Sequence, residues 1–147
     1  MSDEFKGGCQ CGDVTYTVSE APLWVGHCQC TNCQKFSGAP HATNMVVHRA
    51  FLDVKGSMSI YEYGADSGNQ MKRHFCGKCG SPIYGESSGN EALVVIRVGS
   101  LDEPRNVTPS TVIYTNSAVH WDYMESELDH LPLNDKALEL NYASIEK

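Results

Sequence analysis

The chain has 147 residues, a length typical of one domain, and its hydrophobic share of 41% and charged share of 20% are those of a globular protein. Its formal net charge of −7 disfavours binding to nucleic acid or to an anionic membrane surface. No apolar run approaches the roughly 20 residues of a membrane-spanning helix, and the opening stretch, MSDEFKGG, contains no apolar signal core. We therefore expect a soluble, cytoplasmic protein without nucleic-acid or membrane partners.

Extended segments rich in β-branched and aromatic residues dominate the chain, and turn-forming residues separate them. One short helix is predicted at 31–36, and 134–147 is predicted to be a terminal helix or a frayed tail. We expect a single, mostly β domain over 1–147, with a core of about 7–122 and a C-terminal extension at 123–147. In chain order, the predicted strands are 13–19, 23–28, 41–48, 51–56, 58–64, 71–75, 82–87, 92–98 and 111–116.

Seven cysteines fall into three clusters, GGCQCG, HCQCTNC and HFCGKCG. An odd count without a secretion signal argues against a disulfide scaffold. Clusters of reduced cysteines more often bind metal or carry out redox chemistry. The grouping of two, three and two predicts one site with four thiols and a second site with three.

The four-thiol site is predicted to combine the first and third clusters. Cys76 and Cys79 flank a glycine-containing turn, which supplies two ligands and needs two more. Cys9 and Cys11 can supply them, because side chains two apart on an extended chain point to the same face. The predicted result is a closed structural zinc site that contributes to folding. A thioredoxin-like redox pair at Cys76 and Cys79 is the alternative, although no βαβ pattern surrounds it.

The middle cluster leaves three thiols, Cys28, Cys30 and Cys33, around a second ion. Structural zinc takes four protein ligands, whereas catalytic zinc takes three and keeps one position for water or substrate. The spacing suits an extended segment that continues into a turn capped by Thr31 or Asn32. A fully structural site closed by a histidine remains the alternative, with three candidates for the fourth ligand. These are His27, His41 and His74.

Four stretches of this sequence resemble the glutathione-dependent formaldehyde-activating enzyme family, which also includes the centromere protein V domain. They are GCQCGDVTY, HCQCTNCQKFSGAP, HFCGKCGSPIY and RVGSLDEP, and the resemblance runs from about Gly7 to Asp122. One departure is Gln29, which stands where the central motif of the family often has histidine. Its side chain is expected to face away from the metal.

The resemblance implies an Mss4-like β-tent fold that binds two Zn²⁺ ions. It places the structural zinc on the four-thiol set and the second zinc, at the proposed active site, on the three-thiol set. It implies a carbon–sulfur lyase or synthase step that joins formaldehyde to glutathione and gives S-hydroxymethylglutathione. A non-catalytic zinc-binding module with a protein partner, and a redox or metal-handling protein, are the alternatives.

Residues for the substrate and for proton transfer are less sharply indicated. Lys35, Ser37 and Gly38 follow the middle cluster directly and are candidates to bind a substrate carboxylate. A thiol held at an open zinc position loses its proton readily and becomes a nucleophile. The general base has four candidates in the sequence, none favoured over the others. They are His27, His41, Glu86 and Asp102.

Overall fold

The computed structural model describes residues 4–133, so the predicted terminal helix or tail at 134–147 lies outside the described residues. Within them, the prediction of a mostly β protein is confirmed. The strands are β1 Phe5–Gly8, β2 Thr15–Val18, β3 Trp24–Cys28, β4 Ala42–His48, β5 Leu52–Lys55, β6 Ser59–Gly64, β7 Gln70–Phe75, β8 Pro82–Ser87, β9 Leu93–Arg97, β10 Thr111–Ile113 and β11 Asp129–His130. The α-helix α1 is Thr31–Ser37, and the 3₁₀ turns are Arg49–Phe51, Val98–Ser100, Pro104–Asn106 and Thr115–Ser117.

The described residues form two compact units. The first consists of 4–24 and 44–107, and the second consists of 25–43 and 108–133. Each unit therefore contains two separate parts of the chain. No helix in the described part of the chain is both long and apolar enough to cross a membrane.

The first unit contains two sets of antiparallel strands. β1, β2 and β5 form a three-stranded sheet, in which Tyr16 lies opposite Val54. β4, β9, β8, β7 and β6 follow one another in the second set, with Val46 opposite Val95. Apolar side chains fill the core, and consecutive residues of β4 and β9 are buried. Fully buried examples are Val14, Val18, Met45, Val47, Ile83, Val94 and Ile96.

The second unit contains β3, β10 and β11, which pair in parallel. Val112, in the middle of β10, lies opposite His27 on one side and His130 on the other. This arrangement sets the end of β3 beside Ile113, whose carbonyl accepts the Gln29 N–H at 3.0 Å. Helix α1 begins just after this point, so the middle cysteine cluster lies where a strand passes into a helix.

The strand predicted at 111–116 is too long. Residues 111 to 113 are extended, but Tyr114 takes a left-handed φ of 59° and a 3₁₀ turn follows. The N–H groups of Thr115 and Asn116 then donate to the carbonyls of Leu131 and Pro132 at 3.1 and 3.2 Å. These partners come from a distant segment, so local propensity in TVIYTN does not reveal where the strand ends.

Candidate functional site

The structure gathers the same four cysteines that the sequence grouped. The sulfurs of Cys9, Cys11, Cys76 and Cys79 all lie within 4.8 Å of one another. The Sγ atoms of Cys9 and Cys11 are 3.5 Å apart, and those of Cys11 and Cys76 are 3.7 Å apart. None is in a disulfide. Four converging thiols make a donor set suited to Zn²⁺, so this group could hold a metal ion.

The first pair converges for a different reason from the one predicted. Cys9 to Gly12 form a turn, closed by the Gly12 N–H on the Cys9 carbonyl at 3.2 Å, and are not an extended segment. The turn folds the two thiols together, whereas a strand would only align them on one face. The Val14 N–H donates to the Cys9 sulfur at 3.2 Å. A backbone donor of this kind stabilises thiolate charge.

The second pair lies on a tight turn between β7 and β8. The pairing register shifts between His74 and Phe75, and the Cys76 N–H then donates to the Ser81 carbonyl at 3.0 Å. The Cys79 N–H donates to the Cys76 sulfur at 3.4 Å. This turn has the knuckle form that the sequence predicted.

Ser81 is a contributor that the sequence analysis did not single out. Its Oγ accepts the N–H of Gln10 at 3.1 Å and lies 3.2 Å from the Cys79 sulfur. It therefore links the two cysteine turns directly. Hydrogen bonding from its side chain lowers the pKa of the Cys79 thiol to about 5. A serine two residues after the last cysteine of a knuckle is the only sequence signal for this role.

The middle cluster also converges. The sulfurs of Cys28, Cys30 and Cys33 lie within 4.8 Å of one another. Cys28 ends β3 and Cys33 lies inside α1, and both are buried at 4% and 6% exposure. The helix cap is Cys30, whose sulfur accepts the Cys33 N–H at 3.3 Å. The predicted caps, Thr31 and Asn32, are wrong because the thiol itself takes that position.

The three thiols of the middle cluster form a donor set of the kind that binds Zn²⁺. Hydrogen bonds with Cys30 and Cys33 raise the pKa of the Cys28 thiol far above its ordinary value. As thiolates, three sulfurs this close would repel one another, and a cation among them would offset that repulsion. Zn²⁺ supplies such charge and prefers sulfur ligands. The donor set thus fits the metal that the sequence predicted.

A buried polar network adjoins the middle cluster through Gln29. Gln29 is 2% exposed, and its Nε2 donates to Asp122 Oδ2 at 2.9 Å. His41 Nδ1 lies 3.0 Å from both oxygens of the same carboxylate. Asp122 was not among the predicted site residues. Its only sequence signal is the stretch HWDY, 93 positions from Gln29.

The three candidate histidines take other partners. His27 Nδ1 lies 2.8 Å from Thr43 Oγ1, and the His27 ring meets the His41 ring edge-on at 4.8 Å. Burial lowers the pKa of His27 below its ordinary value. In the first unit, His74 Nε2 lies 2.8 Å from a Glu86 oxygen. Among the described residues, neither sulfur group includes a histidine.

The other two base candidates lie in the first unit. Glu86 accepts from His74 and forms an ion pair with Arg49. These partners lower the pKa of the Glu86 carboxyl against the opposing effect of burial, which raises it. Asp102 is exposed, and its N–H donates to the Lys6 carbonyl at 2.9 Å. Neither residue belongs to a sulfur group.

The candidate substrate residues occupy the end of α1. Ser37 Oγ donates to the His41 carbonyl at 3.1 Å and accepts the Ala39 N–H at 3.1 Å. The Gly38 N–H donates to the Gln34 carbonyl at 2.9 Å and caps the helix. Ser37 and Gly38 thus already have structural partners. Lys35 is exposed in the last turn, two positions after Cys33.

Fold and site together define a class: a mostly β protein with two groups of free cysteines, each able to hold a metal ion. Within that class, the chain belongs to the glutathione-dependent formaldehyde-activating enzyme family, whose model matches residues 4–117. The resemblance seen in the four motifs is therefore confirmed. The family is named for an enzyme and for a thiol, glutathione.

Two known proteins are similar to this chain, the first in sequence and the second in fold. A protein from Halomonas elongata, provisionally named a glutathione-dependent formaldehyde-activating enzyme, is 33% identical over 84 residues. That match covers 54% of this chain and 54% of the relative, so the chain spans about half the length of its curated relative. The crystal structure of a Rhodobacter sphaeroides protein has the same fold, with a TM-score of 0.54 and 24% identity. The structural match covers 71% of this chain and 91% of the Rhodobacter sphaeroides chain.

The two sulfur groups differ in exposure, and this difference gives a prediction. Cys11 and Cys79 are exposed, whereas Cys28 and Cys33 are buried. We expect iodoacetamide to modify Cys79 at least about tenfold faster than Cys28 and Cys33 in the reduced, chelator-treated, folded protein, because its sulfur is exposed and its lowered pKa favours the reactive thiolate. Peptide mass spectrometry over time measures the order. In denaturant all seven should react at similar rates, and fast modification of Cys28 in the folded chain would contradict the prediction.

Proposed function

We propose that the protein is a zinc-dependent enzyme of the carbon–sulfur lyase type that forms and cleaves a thiol adduct of an aldehyde. Glutathione and formaldehyde, which give S-hydroxymethylglutathione, are the proposed pair. The observation that carries the proposal is the inequality of the two sulfur groups. One has four thiols, and the other has three with no fourth Cys, His, Asp or Glu ligand gathered to it among residues 4–133.

The proposed division of labour follows from ligand number. The four-thiol group would hold a structural Zn²⁺, and the three-thiol group a second Zn²⁺ with one position open. When bound there, the ion favours the thiolate form of a thiol at neutral pH and polarises a carbonyl oxygen. Cys28, Cys30 and Cys33 would hold it. Gln29 is buried and lies between two of these ligands in the sequence. Its hydrogen bond to Asp122 fixes the segment that carries them.

A thiol such as glutathione is the proposed small-molecule partner, and its carboxylates need a cation. Lys35 is exposed on α1, two positions past Cys33, and suits this role. Ser37 and Gly38 are proposed only as secondary contacts, because their polar groups already close the helix. Seven free thiols also favour a reducing compartment, so we propose the cytoplasm.

The experiment measures exchange and not the amount of product, because aldehydes and thiols equilibrate without a catalyst. Exchange spectroscopy with ¹³C-formaldehyde and glutathione gives the rate of interconversion between aldehyde and adduct at a fixed equilibrium position. We expect the zinc-loaded wild type to raise this rate. A Cys33→Ser variant treated with the same zinc should give the uncatalysed rate, because it lacks one ligand of the second ion.

The exchange assay can also contradict the enzyme proposal. If the loaded protein leaves the exchange rate of glutathione and of other small thiols unchanged, the enzyme proposal is wrong. A zinc-binding module with a protein partner would then be the better description. Activity with cysteine or another thiol, but not with glutathione, would keep the reaction and change the substrate.

A further inference from the structure

Asp122 fixes the protonation pattern of His41. The carboxylate is 6% exposed, and both of its oxygens lie 3.0 Å from His41 Nδ1. An ionised carboxylate only accepts hydrogen bonds, so Nδ1 must carry the proton. In the neutral ring, Nε2 is then the atom with a lone pair. Carboxylate and histidine paired in this way are the usual means of orienting an imidazole for proton transfer.

The same carboxylate is bonded into the chain that carries the three thiols. Gln29 Nε2 donates to it at 2.9 Å, and Gln29 lies between Cys28 and Cys30. Gln34, the residue after Cys33, donates to the Gln29 carbonyl at 2.8 Å and to the Ser117 carbonyl at 3.0 Å. Asp122 therefore has two structural partners, the imidazole and the thiol-bearing segment.

The backbone of His41 is held as well. Ser37 Oγ donates to its carbonyl at 3.1 Å, from the last residue of α1. The ring of His27, on β3, packs edge-on against the His41 ring, with the two ring centroids 4.8 Å apart. Asp122 and His27 are two titratable side chains in contact with His41. The imidazole is constrained at its backbone, at Nδ1 and on one edge of the ring.

We propose that His41 is the proton-transfer residue of the thiol-adduct reaction and that Asp122 is its positioning residue. This inference rests on the proposed function. In the forward step the S–H bond of the thiol breaks and its proton goes to His41 Nε2. The sulfur electron pair forms the C–S bond at the aldehyde carbon while the C=O π pair moves to oxygen. His41 Nε2 then gives that proton to the oxygen, so atoms and charge balance, and cleavage is the reverse.

The other base candidates fit this role less well. Glu86 is already paired with His74 and Arg49, and it lies in the first unit. Asp102 is exposed in that unit. His27 lies beside His41, but its Nδ1 contacts a hydroxyl, which accepts as well as donates and so does not fix the tautomer. His41 is the candidate with a carboxylate on Nδ1 and a link to the thiol-bearing segment.

The test compares His41→Gln and Asp122→Asn with a matched control. His48→Gln removes a histidine of similar exposure whose Nδ1 also contacts a carboxylate, Glu20, at 3.1 Å. In the zinc-loaded exchange assay we expect His41→Gln to lower the catalysed rate about 100-fold. Asp122→Asn should lower it about tenfold, and His48→Gln should not change it. Zinc content should remain that of the wild type in all three.

Three further readouts separate proton transfer from a merely structural role. Added imidazole should partly restore His41→Gln, and the fall of the rate at low pH should disappear in that variant. Nitrogen-15 shifts of the wild type should show the proton of His41 on Nδ1. A His41→Gln variant with wild-type rate and pH profile, or one that loses zinc, would overturn the inference while the function stands. A wild-type protein without activity would overturn both.

Discussion

Cys76→Ser is expected to lower the melting temperature by roughly 10 °C and to release the metal of the four-thiol group. Cys76 is 1% exposed and is separated from Cys11 by 65 positions, although their sulfurs are 3.7 Å apart. Closing a loop of that length removes about 4 kcal/mol of chain entropy from the unfolded state. At about 2–4 °C per kcal/mol for a chain of this size, loss of the closure gives the stated shift. Thermal unfolding and zinc analysis measure it.

A chelator supplies the control for this prediction. The wild type, stripped of metal, should melt near the temperature of Cys76→Ser, and the variant should not respond further to the chelator at that group. If stripping leaves the melting temperature of the wild type unchanged, the four thiols do not cross-link the fold through a metal. In that case the redox interpretation of Cys76 and Cys79 would be the stronger one.

Local sequence was sufficient to group the cysteines but not to explain how they converge. Knuckle spacing and the count of seven placed Cys9 and Cys11 with Cys76 and Cys79, as the structure does. The predicted extended backbone at Cys9 and Cys11 is wrong, because Cys9 to Gly12 form a turn. Two cysteines separated by one residue can bring their sulfurs together on an extended segment or on a turn. The predicted four-thiol group therefore agrees with the structure although the predicted backbone does not.

The polar network could not be predicted for a different reason. Its bonds join residues far apart in the sequence, 93 positions for Gln29 to Asp122 and 81 for His41 to Asp122. Periodicity and spacing report only local structure, so a single aspartate in HWDY gives no sign of its partners. Ser81, which bonds across 71 positions to Gln10, escaped for the same reason.

Most strands were predictable because they are rich in β-branched and aromatic residues, and the exceptions lack that composition. β1 has the sequence FKGG, in which two of the four residues are glycine and none is β-branched. β11 is only two residues, Asp129 and His130, both exposed. Both strands depend on pairing with a neighbour, β2 for the first and β10 for the second. Tertiary pairing, not propensity, makes them extended.

Cys30→Ser is expected to abolish catalysis at the three-thiol group while leaving the fold intact. Serine is a better helix N-cap than cysteine, and its hydroxyl can accept the Cys33 N–H that the Cys30 sulfur accepts at 3.3 Å. The hydroxyl is a poor replacement for a thiolate ligand of zinc. We expect metal affinity at this group to fall by at least about 100-fold, since even outer contacts of a ligand contribute 10- to 100-fold. Zinc titration, melting temperature and the exchange assay measure the three effects.

Cys30→Ala is the matched control, because alanine removes the cap and the ligand together. It should lose the metal as Cys30→Ser does, and should in addition lose about 1 kcal/mol of stability from the uncapped helix. Comparing the two variants therefore separates the two roles of the Cys30 sulfur, which are capping the N-terminus of α1 and binding an ion. If Cys30→Ser keeps both its second zinc and its activity, Cys30 is only a cap and the open three-thiol centre is wrong. If both variants unfold alike, the metal at this group is structural, as a site closed by a fourth ligand would be.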